Sequence, residues 1–151
     1  MKIRIIAVGK IKDPMLQQKI ADYLNKLGKG IEVSLLEVPD GKGPAPELRK
    51  QESEKILDRL PERSLIVALD ERGKELDSLQ FAELIKKLIN QGRDLALIIG
   101  GAYGLDEKVR TRADLTLALS QLTFSRELAR LVLAEQIFRA WSIIKGNPYH
   151  H

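Results

Sequence analysis

Cysteine is absent from the 151 residues, and histidine occurs only as His150 and His151 at the C-terminus. The first absence excludes disulfides and thiolate chemistry and fits a reducing compartment. Together the two absences remove the usual ligands of a zinc site, so no metal is expected. A Ser-His-Asp triad would have to recruit a tail histidine. Aromatic residues make up only 5% of the chain, so its core must be built from Leu, Ile, Val and Ala. No apolar run is long enough to span a membrane. The opening Met1-Lys2-Ile3-Arg4 has no signal-peptide pattern. These readings lead us to expect a cytoplasmic protein with no membrane partner.

What is present is ordinary for a globular protein: 44% hydrophobic and 30% charged residues. The length suits one domain over residues 1–151 with its own core. The net charge of +4 permits an anionic partner such as RNA without requiring one.

Apolar runs predict strands at Lys2 to Val8, Ile31 to Val38, Ser64 to Leu69, Leu95 to Ile99 and Leu115 to Leu119. Helical spacing and caps predict helices between them. Asp13-Pro14 opens one, Asp77 and Gln80 have capping-box spacing for another, and a short helix falls near Asp106 to Arg112. Glu47 to Leu60 is a charged helix with a thin apolar stripe at Leu48, Ile56, Leu57 and Leu60, its charges read as a solvated face. Pro39 to Pro46 holds three prolines and two glycines, which predicts a loop, either a surface connection or a basic flap near a nucleic acid. Alternation of apolar strands and helices predicts an α/β fold: a mostly parallel sheet flanked by helices.

Two strand-to-loop breaks are the candidate ligand loops. Gly100-Gly101-Ala102-Tyr103-Gly104 follows the fourth strand and offers close backbone approach. Its spacing is not that of a dinucleotide fingerprint, and a tight structural turn is an equal reading. Leu119-Ser120-Gln121-Leu122-Thr123-Phe124 follows the fifth strand and puts apolar side chains in a loop. They must pack into the protein or wrap an apolar ligand such as an adenine ring. The helix from Arg126 to Lys145 is apolar over more than half its circumference, which suits a central buried helix or a dimer interface. The tail Gly146 to His151 is either a frayed end (or tag remnant) or an ordered element.

Four segments together resemble the RlmH family of small SPOUT-class methyltransferases: LALIIGGAYGL from Leu95, LSQLTF from Leu119, EQIFRAW from Glu135, and Pro148-Tyr149-His150. Ala7 to Lys10 and Glu37 to Pro39 also match, so the resemblance runs the length of the chain. It implies a SPOUT-type fold with a C-terminal trefoil knot, a homodimer, and S-adenosylmethionine held by Leu69, Gly100, Leu119, Ser120, Gln121, Leu122, Thr123 and Phe124. It implies methylation of N3 of a pseudouridine in helix 69 of 23S rRNA, in the assembled ribosome. Arg139, Tyr149 and His150 are then the expected catalytic residues. Arg139 would hold a phosphate or a uracil oxygen, Tyr149 and His150 the flipped base, and a histidine can also exchange a proton near neutral pH.

Two positions depart from the family pattern. Ser125-Arg126 stands where many members carry Pro-His, and arginine cannot act as a base. His151 stands where Lys or Arg is common, which removes a phosphate contact. Three other readings compete: a SPOUT-type enzyme acting on another RNA such as tRNA, a non-catalytic RNA- or nucleotide-binding module, and a dinucleotide oxidoreductase.

Overall fold

A computed structural model describes residues 1–150 of the chain; His151, and with it the expected lost phosphate contact, lies outside the described residues. Five strands form one sheet: β1 (Lys2–Val8), β2 (Glu32–Val38), β3 (Ser64–Glu75), β4 (Asp94–Ile99) and β5 (Leu115–Ala118). Their order across the sheet is β2-β1-β4-β3-β5, and every pairing is parallel. Between them run α1 (Pro14–Asn25), α2 (Ala45–Leu57), α3 (Ser78–Asn90) and α4 (Glu107–Arg112), and α5 (Arg126–Lys145) closes the fold.

The strands alternate cleanly between two cores. Ile3, Ile5, Leu95, Leu97 and Val67 face α1, α3 and α5, together with Ile85, Leu133 and Ile137. Ile6, Val8, Ile66, Ala68 and Ile98 face α2 and α4, together with Ile56 and Val109. The connections through α1 and α3 step toward β2, whereas those through α2 and α4 step toward β5. One crossover hand therefore puts the two pairs on opposite faces. The step direction reverses between the neighbours β1 and β4.

Local signals hold α1, α3 and α5, the first two as expected. The Asp13 carboxylate accepts from Met15 N–H, Asp77 and Gln80 form the reciprocal capping box, and the Ser125 hydroxyl accepts from Leu128 N–H. Gly146, at φ 69°, ends α5. The α5 helix lies between α1 and α3 and buries Ala129, Leu133, Ile137 and Trp141, while Leu128 on the same helix stays 40% exposed.

Several boundaries differ from expectation, α2 ending at Leu57 and not Leu60 among them, and two of the differences have a clear physical reason. Helix α2 begins at Ala45, inside the expected loop, because Pro46 sits in the first turn, where its missing N–H costs no helical bond. Strand β3 continues past Leu69 to Glu75 and rejoins β5 after a register shift between Leu69 and Lys74. The irregular step breaks the period-two pattern that would announce a strand, and the residues of the extension are polar.

Candidate functional site

A cleft of ≈ 800 Å³ opens at the carboxyl ends of β3, β4 and β5. Three chain segments form its walls: Leu69 to Arg72 on β3, Ile99 to Gly104 after β4, and Leu119 to Arg126 before α5. Of the eight residues expected to hold a cofactor, Leu69, Gly100, Leu119, Ser120, Leu122, Thr123 and Phe124 line it. Gln121 turns away, its amide donating to Glu75 Oε2 at 3.3 Å. The Ser120 hydroxyl accepts from Leu122 N–H at 3.0 Å, a local turn that leaves Leu122 74% exposed over the cleft.

Around this partly apolar space stand four arginines, Arg49, Arg72, Arg110 and Arg126. Asp70 takes a forked pair of bonds from Arg72, at 2.8 Å from Nε and 2.7 Å from Nη2, and Arg110 approaches it at 3.6 Å. Arg110 also pairs with Glu107 at 2.7 Å. Arg126 pairs with Asp40, which ties the Pro39–Pro46 loop to the start of α5. Arg49 makes no ion pair among the described residues, and its Nε is buried without a hydrogen-bond partner. Below the cleft the fully buried Arg130 donates through Nη2 to the carbonyls of Val8 (2.6 Å) and Gly9 (2.8 Å), capping the end of β1.

The Asp70 network has a measurable consequence. The bonds from Arg72, working against burial, hold its carboxyl at about 2 instead of the ordinary 3.8. A depressed folded value stabilises the fold above the unfolded value, and that contribution is lost as pH falls through about 2. Because the Arg72 side chain is 67% exposed, solvent screening holds the effect at neutral pH to about 1 kcal/mol. Urea unfolding followed from pH 7 to pH 2 should show a steeper loss of stability in the native chain than in Asp70→Asn, confined to the range from the unfolded value of 3.8 down to about 2. Parallel curves for the two proteins would refute the assignment.

The expected catalytic trio occupies a different place. Glu135 Oε1 accepts from Arg139 Nε at 3.0 Å, from Arg139 Nη2 at 2.6 Å and from the Tyr149 hydroxyl at 3.2 Å. The Tyr149 ring meets Phe138 edge-on at 4.7 Å, and the Arg139 guanidinium lies 4.8 Å above it. His150 Nδ1 is 3.5 Å from Arg139 Nη1. The tail is therefore an ordered element through His150. Burial, then the hydrogen bond with Tyr23 and the charge of Glu135, push the Tyr149 phenol up to about 12, so it is a proton donor at neutral pH. None of the trio lines the cleft. Arg139 lies thirteen residues beyond Arg126 on α5, which is about 20 Å along the helix axis.

Another groove, of ≈ 690 Å³, runs between α3 and the β5 edge over Leu76, Leu84, Leu115 and Leu117. It contains none of the expected residues and no strand-end loop. Among the described residues there is no cluster of three His, Cys, Asp or Glu that could hold a metal.

Comparison with known proteins bears on what the cleft is for. Residues 1–150 match a family described as "Predicted SPOUT methyltransferase". The chain is 43% identical over 152 residues to "Ribosomal RNA large subunit methyltransferase H" of an Anaeromyxobacter species, covering 99% of each protein. It is 42% identical over 153 residues to the protein of the same name from Trichlorobacter lovleyi, covering all of both. A solved structure titled as a "probable rRNA-methyltransferase" from Porphyromonas gingivalis shares the fold, with a TM-score of 0.57 at 11% identity over 95% of this chain and 69% of that one.

Proposed function

The chain belongs to the SPOUT methyltransferase family, in its RlmH branch, and on that footing we propose that it methylates ribosomal RNA of the large subunit with S-adenosylmethionine. The target in this reading is N3 of a pseudouridine in helix 69 of 23S rRNA, in the assembled ribosome and hence in the cytoplasm. No helix among the described residues is long and apolar enough to cross a membrane. The observation that carries the reading is the convergence of two separate loops, Gly100–Gly104 and Leu119–Phe124, on one cleft in a chain matched along its length to this family.

The cleft fits the cofactor. Leu69, Leu119, Leu122 and Phe124 offer apolar faces for an adenine, and the main-chain groups between them can read its edge. Gly100 lets the turn after β4 close tightly beside that space, since a Cβ there would lie 2.8 Å from the Gly104 carbonyl carbon. The bound cofactor supplies a methyl group already activated on a sulfonium, so the protein's task is largely orientation. The proton on N3 must leave before the methyl arrives or as it does. Arg139, a permanent cation, is suited to stabilise the ring anion, and Tyr149 to donate a hydrogen bond. His150 is the member of the trio able to accept a proton.

We read the C-terminal segment as threaded into a trefoil knot and the working unit as a homodimer. Support for the dimer comes from distance: Arg139 stands about 15 Å along α5 from Ala129, the nearest cleft residue on that helix, whereas a two-fold partner can bring its tail to the other subunit's cleft.

The test is transfer of radiolabelled methyl from S-adenosylmethionine to ribosomes lacking the helix 69 methylation, to free large subunits and to bulk tRNA. Label in 23S rRNA of whole ribosomes is expected. Label confined to tRNA would reassign the substrate, and cofactor binding with no transfer to any acceptor would make the chain a binding module.

A further inference from the structure

Helix α2 carries a carboxylate where its sequence calls for an apolar residue. Glu52 stands four residues after Leu48 and four before Ile56, on the stripe that packs against the sheet. It is only 2% exposed. Its Oε1 accepts from Gly41 N–H at 3.0 Å, in the Pro39–Pro46 loop. Its Oε2 is buried and has no hydrogen-bond partner among the described residues. Both oxygens press on the cofactor turn: a Cβ on Gly101 would lie 2.5 Å from Oε2 and 2.9 Å from Oε1. Gly101 itself lines the cleft, so a single glycine separates the carboxylate from the bound ligand's space.

Burying a charge with an unpaired oxygen is costly, and a glutamine would fill the same volume and keep the Gly41 bond. A buried carboxylate at such a place points to a use for its charge. The cofactor read for this cleft is a cation at sulfur before methyl transfer and neutral there afterwards. We propose that Glu52, set behind Gly101, is a positioning residue whose ionised carboxylate favours the sulfonium cofactor over its neutral product. The inference rests on the methyltransferase reading. It would help the site load donor and release spent cofactor.

Three charged groups face Glu52: Asp40 from the Pro39–Pro46 loop, Arg126 from α5 and Lys55 from its own helix. Burial outweighs the bond from Gly41 and raises the Glu52 pKa above the ordinary carboxylate value. The charge is therefore lost at a higher pH than that of a solvated glutamate, and the preference for the cation should fade as pH falls through this raised value.

The experiment is calorimetric titration of the full chain and of Glu52→Gln with S-adenosylmethionine and S-adenosylhomocysteine. The two ligands share adenine, ribose, amine and carboxylate, so the ratio of their affinities isolates the sulfonium. The substitution should lower the donor-to-product affinity ratio about fiftyfold, as one unit charge about 7 Å away at an effective protein dielectric of about 20 implies. The melting temperature should hold or rise. In the native chain the ratio should decline on acidification; in Glu52→Gln it should stay flat, and Asp40→Asn should still show the decline. Equal weakening of both ligands, or an unchanged ratio at every pH, would overturn the proposal. The pH series on the native chain decides the matter even if the variant folds poorly. A native chain that binds neither ligand sinks the methyltransferase reading, and the proposal with it.

Discussion

Replacing Gly100 by valine is expected to weaken S-adenosylmethionine binding by at least about a hundredfold, or about 2.7 kcal/mol, and to remove methyl transfer with it. A Cβ at this position would meet the Gly104 carbonyl carbon at 2.8 Å and the Gly104 oxygen and Leu105 nitrogen at 3.0 Å. All three are main-chain atoms and cannot rotate aside. The turn is also closed on itself, Gly104 N–H donating to the Gly101 carbonyl at 3.1 Å, and anchored by Leu105, which is buried. Relief must come from displacing the whole turn into the cleft, and overpacking of this kind costs about 1–3 kcal/mol before any ligand arrives. Gly104→Ala provides the contrast. Gly104 has φ +75° but nothing within 4 Å of its Cβ position, so alanine there costs only about 1–2 kcal/mol of backbone strain. Calorimetry on both variants should rank them in that order. Near-native affinity in Gly100→Val would mean that the turn does not shape the ligand's space.

The sequence announces the five strands because each alternates between two buried faces, and it announces α1, α3 and α5 because their caps are local. It does not announce the order of the strands. Parallel neighbours such as β1 and β4 meet through pairings like Ile5 with Leu97, which no short window records. The polar extension of β3 is hidden for a related reason, since it pairs again with β5 only after the step at Leu69 and Lys74.

The same split holds for the site. Loops that interrupt apolar strands stand out, and the family resemblance turns those interruptions into seven residues that line one cleft. Charged residues in helices stand out less. Reading α2 as a solvated face conceals Glu52, although Leu48, Glu52 and Ile56 lie at successive intervals of four and so mark one buried stripe. Arg130 is concealed likewise, between Ala129 and Leu133 on the buried face of α5. Asp70 looks like an ordinary strand end; only the fold brings Arg110, forty residues away, beside it.

Mixing two inactive variants should restore activity, and this is the sharpest test of the dimeric reading. One variant carries Gly100→Val, which spoils the cleft and leaves the tail; the other ends at Pro148, which removes Tyr149 and His150 and leaves the cleft. If each chain served its own cleft, every subunit in the mixture would lack one half of the site and the mixture would stay inactive. The geometry of a single chain argues against that arrangement. Tyr149 is packed on Phe138 and bonded to Glu135, and Arg139 lies over its ring, all toward the far end of α5 from Arg126. Shifting the tail to its own cleft would break these contacts and carry it about 15 Å along α5. When subunits exchange freely, about half the dimers are mixed, and each mixed dimer has one site with an intact cleft and an intact partner tail, giving about a quarter of native activity. The measurement is labelled methyl transfer after co-refolding the variants, with sedimentation to establish the dimer. A return to about a quarter supports a site shared between subunits; activity no greater than that of the separate variants would require the tail to act within its own chain or not at all.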